Sequence, residues 1–153
     1  MRLTMRTNLA MRSLMFCAVN PGKIVRKAEI AQYCNASENH LGLVIHKLSQ
    51  SGFLHTVRGR NGGVRLSRPA EDICIGDVCR EFEASVPFTE CFEGGDNECP
   101  IVACCELRGV LGRALAAFYG ELDKVQLSDL TKGNTGLAHM LALEPLNEQL
   151  NAC

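Results

Sequence analysis

The chain of 153 residues contains no Trp and only two Tyr. This removes the buried aromatic anchor on which an antibody-like sandwich is built. Long apolar stretches are also missing: no run approaches the ~18 consecutive apolar residues that a membrane-spanning helix needs. With 46% hydrophobic and 22% charged residues, the composition is not that of a disordered chain either. No secretory leader is read. Leu9–Val19 is apolar behind Arg2 and Arg6, but Arg12 interrupts it and no small-x-small cleavage site follows. Leu14-Met15-Phe16-Cys17 has the outline of a lipoprotein signal, with bulky Phe16 where a small residue is wanted. A cytoplasmic protein of one domain, or of one small domain plus an extension, is expected, its nine cysteines reduced or metal-bound.

Acidic residues are scarce in the front half. Residues 1–68 hold eleven Lys/Arg against two Asp/Glu, a balance of +9, whereas residues 69–153 hold five against fifteen, a balance of −10. The split hides inside a net charge of −1. It suggests a front half that faces nucleic acid, with an unevenly solvated surface as the plain alternative. No nucleophile–base constellation or phosphate-binding glycine loop appears, so an enzyme is not expected. Gly59–Gly63 reads as a hairpin turn.

The pattern predicts a helix over 4–19, capped by Thr4 or Thr7 and ended by Asn20-Pro21-Gly22. A second helix is expected over Val25–Tyr33. Ser37 is a good N-cap for a third, Glu38–Gln50, with Leu41, Val44, Ile45 and Leu48 at i, i+3, i+4, i+7. Gly52 stops it. Strands at Phe53–Val57 and Val64–Leu66 flank the glycine-rich turn. Two helices around a short turn, followed by a basic hairpin, predict a mainly α fold with a small β-hairpin wing: a winged helix-turn-helix. A short helix Ile75–Glu83 follows. Pro87, Gly94, Gly95 and Pro100 forbid regular structure over 84–103. A long helix then runs from about Cys104 to Lys124, with Leu107, Val110, Leu111, Leu115, Phe118 and Leu122 on one side. Since the winged unit is already complete, this stripe is expected to pair with a second copy of the chain. Leu127–Leu130 starts a short last helix. The expected division is 1–83 for DNA binding, 84–132 for a loop and dimerisation helix, and 133–153 for a tail.

Cys91, Cys99, Cys104 and Cys105 fall within fifteen residues. In Cys91-x7-Cys99-x5-Cys105, thiols on a flexible loop lie just before a helix N-terminus, whose partial positive charge suits anionic thiolates. Soft sulfur ligands select zinc, copper(I) or iron–sulfur clusters. Structural zinc prefers intervals of two to four residues, so intervals of seven and five suit a larger cluster better. Zinc and unliganded or redox-active thiols stay open on spacing alone. Cys17, Cys34, Cys74 and Cys79 read as core filler, and Cys153 sits at the terminus.

Taken together, Met1-Arg2-Leu3-Thr4, Asn39-His40-Leu41, the wing Val57-Arg58-Gly59-Arg60-Asn61-Gly62-Gly63-Val64-Arg65-Leu66 and Ile75-Gly76-Asp77-Val78 resemble the iron–sulfur winged-helix transcriptional regulators of the IscR, RirA and NsrR type. The resemblance spans residues 1 to about 132. Asn39-His40-Leu41 with Val44-Ile45-His46-Lys47-Leu48 is most similar to the nitric-oxide-sensing NsrR branch. Thr7-Asn8 and Glu90-Cys91-Phe92-Glu93 are equally similar to the iron-responsive RirA branch. The resemblance implies that Cys91, Cys99 and Cys105 ligate the cluster, with a four-iron, four-sulfur type favoured over a two-iron, two-sulfur type. NsrR proteins often supply a fourth ligand, an Asp, at the position of Asn8. A carboxamide is a poorer ligand, and Cys104 is an alternative.

The expected mechanism is a metal-gated clamp on promoter DNA. Arg2, Arg12, Arg60 and Arg65 would contact phosphates. Ser37, Asn39, His40 and Lys47 would face the major groove, and Arg58 would enter the narrow minor groove. A role-free surface position is at least as good a reading for His46. A homodimer implies half-sites about one DNA turn apart. Nitric oxide is the expected signal, with iron or cluster supply as the alternative. A metal-free thiol switch at Cys104/Cys105 and an electron-transfer protein are the rival classes.

Overall fold

The computed structural model describes residues 3–83, 85–92 and 97–143. Arg2, Glu93 and Cys153 lie outside them. Helix α1 (Met5–Val19) begins at the N-cap Thr4, whose side chain accepts the Thr7 N–H. It buries Leu9, Ala10, Leu14, Phe16 and Cys17. Helix α2 (Lys27–Cys34) starts later than the pattern predicts. Val25 forms an isolated antiparallel bridge instead: its N–H donates to the Val64 carbonyl, and Val64 donates back, both at 2.8 Å. Arg26 then caps the helix, its N–H bonded to the Glu29 carboxylate at 2.6 Å.

Helix α3 (Glu38–Gln50) has the predicted boundaries. Ser37 accepts the His40 N–H at 3.3 Å, and Gly52 takes φ +74 beyond the helix end, a conformation that only glycine adopts without strain. Strands β1 (Leu54–Val57) and β2 (Gly63–Leu66) pair antiparallel with Leu54 opposite Leu66 and Val57 opposite Gly63. A Cβ at Gly63 would collide with the Val25 carbonyl, so glycine is what lets the wing close on the chain before α2. This is the winged helix-turn-helix that the sequence implies.

Helix α4 (Ile75–Glu83) buries Ile75, Val78, Cys79 and Phe82 and packs on α1. Turns and bends occupy the described part of the following loop, with a 3-10 turn at Val102–Cys104. Helix α5 spans Glu106–Leu122 with Cys105 as N-cap. It is therefore shorter at both ends than the pattern predicts, and Cys104 belongs to the turn before it. No residue of α5 is buried. Helix α6 (Leu127–Thr131) returns to the main core, where Leu127 is 0% exposed. An isolated bridge between Cys74 and Gln126 anchors it. Helix α7 (Thr135–Leu141) was not foreseen. Its weak apolar pattern gives no signal, and polar contacts hold its end: Asn20 Nδ2 donates to the carbonyl of Leu141, its last residue, and Asn20 Oδ1 accepts the Leu143 N–H, both at 2.8 Å.

Candidate metal centre and nucleic-acid interface

The outer side of α3 is set by the phase of its core. Leu41, Val44, Ile45 and Leu48 face inward and are at most 8% exposed. The opposite stripe therefore carries Asn39, Leu43, His46 and Gln50, all exposed. Asn39 is one of the residues that the sequence assigns to the major groove; Leu43, His46 and Gln50 are not. The signal for all three was available: they lie half a helical turn from the core positions. Ser37 is exposed and occupied as the N-cap, and His40 is half-buried on the flank. Lys47 is turned toward α4, pairing with Glu81 at 3.4 Å over the Phe82 ring.

Arg12 on α1, Arg58 and Arg60 in the wing turn and Arg65 on β2 are all exposed. Arg65 lies opposite His55 in the hairpin register. Lys23, His55, Arg65 and Arg68 line a cavity between the end of α1 and the wing, with the Arg68 guanidinium 4.9 Å from the Phe53 ring centre. The basic half thus concentrates cations on and beside the hairpin.

The cysteines divide by environment. None of the eight described cysteines forms a disulfide. Burial pushes the Cys17 thiol up to about 12. Burial also raises Cys34, opposed by the Arg12 charge, and Cys79, where Glu83 adds to the shift and Arg80 offsets it. Such thiols stay protonated and inert. Cys91, Cys99 and Cys105 are half-buried and Cys104 is exposed. Thr89 Oγ1 lies 3.1 Å from Cys91 Sγ. The Cys99 N–H donates to Asn97 Oδ1 at 3.2 Å, and Cys104 Sγ donates to the Ile101 carbonyl at 3.5 Å.

Phe92 fixes where this loop returns. Its ring lies 3.9 Å from the point that a Cβ on Gly112 would occupy, and it stacks edge-on with Phe88. Cys104 and Cys105 line the open depression between Phe92 and the first turns of α5. Cys91, next to Phe92 in the chain, is thereby brought to the same end of the helix. The sequence carries no signal for this aromatic-on-glycine packing.

Among the described residues, the only set of three potential ligands whose donor atoms lie within 4.8 Å of one another is Cys74, Asp77 and Asp123. Arg80 already supplies the positive charge there, bonding both Asp123 oxygens at 2.7 and 2.6 Å and Asp77 at 3.6 Å. Arg80 accordingly holds the Asp123 carboxyl below the usual carboxylate range, and Asp123 holds Arg80 above its own. Cys91, Cys99 and Cys105 do not converge to that distance. One zinc ion, with Zn–S of about 2.3 Å, would require thiols within about twice that length.

Residues 3–133 match the Rrf2 family of iron-dependent transcriptional regulators. The chain belongs to this family. The Rrf2 chain is 44% identical over 153 residues to protein aau3 of Rhizobium meliloti (strain 1021), with 99% of each covered. It is 40% identical over 145 residues to the HTH-type transcriptional regulator NsrR of Bacillus subtilis (strain 168), covering 94% of this chain and 99% of that one. Of solved structures, T. potens IscR superposes with a TM-score of 0.69 at 25% identity, over 86% of this chain and 87% of that one. CymR, the global cysteine regulator of B. subtilis, gives 0.68 at 25%, over 86% and 96%. This Rrf2 protein is therefore a DNA-binding transcriptional regulator rather than an enzyme, as its basic winged half implies. No helix among its described residues is long and apolar enough to cross a membrane.

Proposed function

We propose that this Rrf2 regulator is a cytoplasmic repressor that binds double-stranded promoter DNA as a homodimer, under the control of an iron–sulfur cluster on Cys91, Cys99 and Cys105. The observation that carries the reading is the position of α4. It is tied to α3 through Lys47–Glu81 and to the start of α1 through Glu83, which accepts the Thr4 N–H at 2.8 Å and the Thr7 hydroxyl. Its last residues run directly into the cysteine loop. Whatever orders that loop acts on the end of α4, and hence on the DNA-facing helix. In this division residues 1–83 read DNA, 84–132 carry the ligands and the dimer helix, and 133–153 form a tail.

The donor set fits a cluster. Three half-buried thiols on one loop, with Cys105 as the N-cap of a seventeen-residue helix, supply soft anionic ligands, the last of them beside positive backbone charge. Their sequence intervals of seven and five suit a group with several metal atoms, of the four-iron, four-sulfur kind, better than one ion. When bound, such a cluster would supply an iron without a fourth thiolate, open to nitric oxide. Asn8, exposed on the first turn of α1, and Cys104 are the candidates beside that position. Without a bound group, the described residues of the loop are held by the Phe92 packing and turn hydrogen bonds. The constraint on α4 then relaxes. DNA contacts come from Arg2, Arg12, Arg60 and Arg65 on phosphates, Arg58 in the minor groove, and α3 with Ser37, Asn39 and His40 in the major groove; Lys47, expected there from the sequence, is instead paired with Glu81 on α4. The apolar side of α5, with Leu107 61% and Val110 50% exposed, is the surface that a second copy would cover.

Iron or cluster supply is the second reading for the signal, favoured by the description of the family as iron-dependent and by Asn8. The experiment compares release from a promoter fragment after stoichiometric nitric oxide and after an iron chelator, both without oxygen. Rapid release by nitric oxide alone supports the proposal, while the opposite order moves the protein to iron sensing. Colourless protein from anaerobic purification would favour a metal-free thiol switch at Cys104 and Cys105.

A further inference from the structure

The outward stripe of α3 holds three polar residues, Asn39, His46 and Gln50, and one aliphatic residue. Leu43 is 62% exposed and belongs neither to the core nor to the partly buried residues packed against it. A single exposed leucine on an ordinary surface needs no explanation. Leu43 is different in its place: it lies midway along the stripe that a winged helix turns to DNA, four residues after Asn39 and three before His46. Beside it, nothing lies within 4 Å of where a Cβ on Gly42 would sit, so the space next to Leu43 is open.

We infer that Leu43 reads the C5-methyl group of a thymine in the major groove. The inference rests on the DNA-binding reading of α3 and adds the chemistry that it recognises. Major-groove base edges present hydrogen-bond donors and acceptors, and the thymine methyl is the one apolar group among them. An isobutyl side chain pressed on any other edge would desolvate a polar atom without replacing its hydrogen bond. Against a methyl it removes apolar surface from water on both partners. Asn39 and His46 on either side can hydrogen-bond neighbouring bases. The front-half balance of +9 holds the duplex through its phosphates, so Leu43 is left to discriminate rather than to bind.

The test uses the full chain, purified anaerobically, and a duplex that it selects from a randomised library. Single thymines of that duplex are replaced one at a time by deoxyuridine, which removes only the methyl. For the wild type, a thymine contacted by α3 should show an affinity loss of about fourfold per methyl. Leu43→Ala should bind the all-thymine duplex weaker by a similar factor and no longer distinguish thymine from deoxyuridine there, while Leu43→Met keeps the distinction. Salt-dependent binding of Leu43→Ala to mixed-sequence DNA reports that fold and phosphate contacts survive; if it is lost, Leu43→Gln carries the comparison. Equal binding to every deoxyuridine duplex, or a distinction that persists in Leu43→Ala, overturns the inference. Failure of the wild type to select any sequence would instead overturn the DNA-binding reading beneath it.

Discussion

Lys47 on α3 and Glu81 on α4 form an ion pair at 3.4 Å that joins the DNA-facing helix to the helix leading into the cysteine loop. Both side chains are about 40% exposed, so solvent screening limits the pair to roughly 0–1 kcal/mol. Its value lies in registering two helices rather than in stability. Lys47 is also 5.5 Å from the Phe82 ring centre, which keeps its stem on α4. Glu81→Gln should therefore lower Tm by no more than ~2–4 °C. It should narrow the difference in promoter affinity between iron-loaded and iron-free protein. Calorimetry and parallel binding titrations check the two halves of this expectation.

Cysteine chemistry should separate along the line that burial draws. Alkylation of iron-free protein at pH 8, followed by mass spectrometry, should label exposed Cys104 first and half-buried Cys91, Cys99 and Cys105 next. Cys17 and Cys79, 3% and 0% exposed, should react only on unfolding. Cys→Ala changes at 91, 99 and 105 should abolish iron retention after anaerobic purification, whereas changes at 17, 34, 74, 79 and 153 should not. Iron lost in Cys104→Ala and kept in Cys105→Ala would exchange the roles of that pair.

The helix boundaries of α3 were legible because capping, apolar phase and the stop signal all agree on the same residues. Agreement of this kind fails at Val25. Its β-branched side chain fits a helix pattern, but a strand partner 39 positions later, Val64, takes both of its backbone groups. Local sequence cannot show that. The candidate ligands were legible as a cluster of thiols on an irregular loop, since Cys, Gly and Pro carry strong local meaning. The docking of Phe92 on Gly112 was not, because a glycine inside a long helix reads only as a weak helix former. α7 was missed for a third reason. Its end and the residues beyond are held by a carboxamide and a lysine as well as by Leu141 and Leu143 against the core, and apolar periodicity is blind to the polar share.

The Cys17 thiol gives the protein an alkaline limit. Burial raises its folded pKa to about 12, well above the ordinary thiol value. An unfolded chain loses this proton near 9, while the folded chain keeps it. The contribution is fully present below pH 9 and is lost progressively as pH rises toward 12, by up to about 1.4 kcal/mol per pH unit. Unfolding midpoints in urea should fall over this window. Cys17→Ala should show a shallower fall, from a lower starting stability set by the lost sulfur contact.

Wing and helix cations should be separable by salt. Arg58, Arg60 and Arg65 are exposed. A phosphate contact from Arg60 or Arg65 contributes about one unit to the slope of log affinity against log salt. Arg60→Ala and Arg65→Ala should each reduce the slope by about that amount and weaken all sequences alike. Arg58→Ala should do more on promoters with A·T-rich flanks, where the minor groove is narrow. A fluorescence-anisotropy titration over 50–200 mM salt would resolve the difference. Equal effects of Arg58→Ala on A·T-rich and G·C-rich flanks would remove it from the minor groove.

Asn20 ends α1 and holds the chain after α7, and its carboxamide is used from both ends. Nδ2 donates to the Phe16 carbonyl at 2.9 Å and to the Leu141 carbonyl at 2.8 Å, while Oδ1 accepts the Leu143 N–H at 2.8 Å. The residue is 3% exposed, and Lys23 Nζ adds a bond to the Leu143 carbonyl at 2.8 Å. Leu141 and Leu143 lie beyond the residues matched by the family, which end at 133. Asn20→Ala leaves three backbone groups without their partner and should cost roughly 1–3 kcal/mol. Asn20→Asp is nearly isosteric, yet an ionised carboxylate has no N–H to donate. It would face the two carbonyls with like partial charge, so it should be at least as destabilising at pH 7 and partly recover when protonated. Urea unfolding of both variants, with hydrogen exchange at Leu141 and Leu143, tests the geometry. If Asn20→Asp proves milder than Asn20→Ala at neutral pH, Asn20 is not the donor that holds Leu141, and α7 docks by other means.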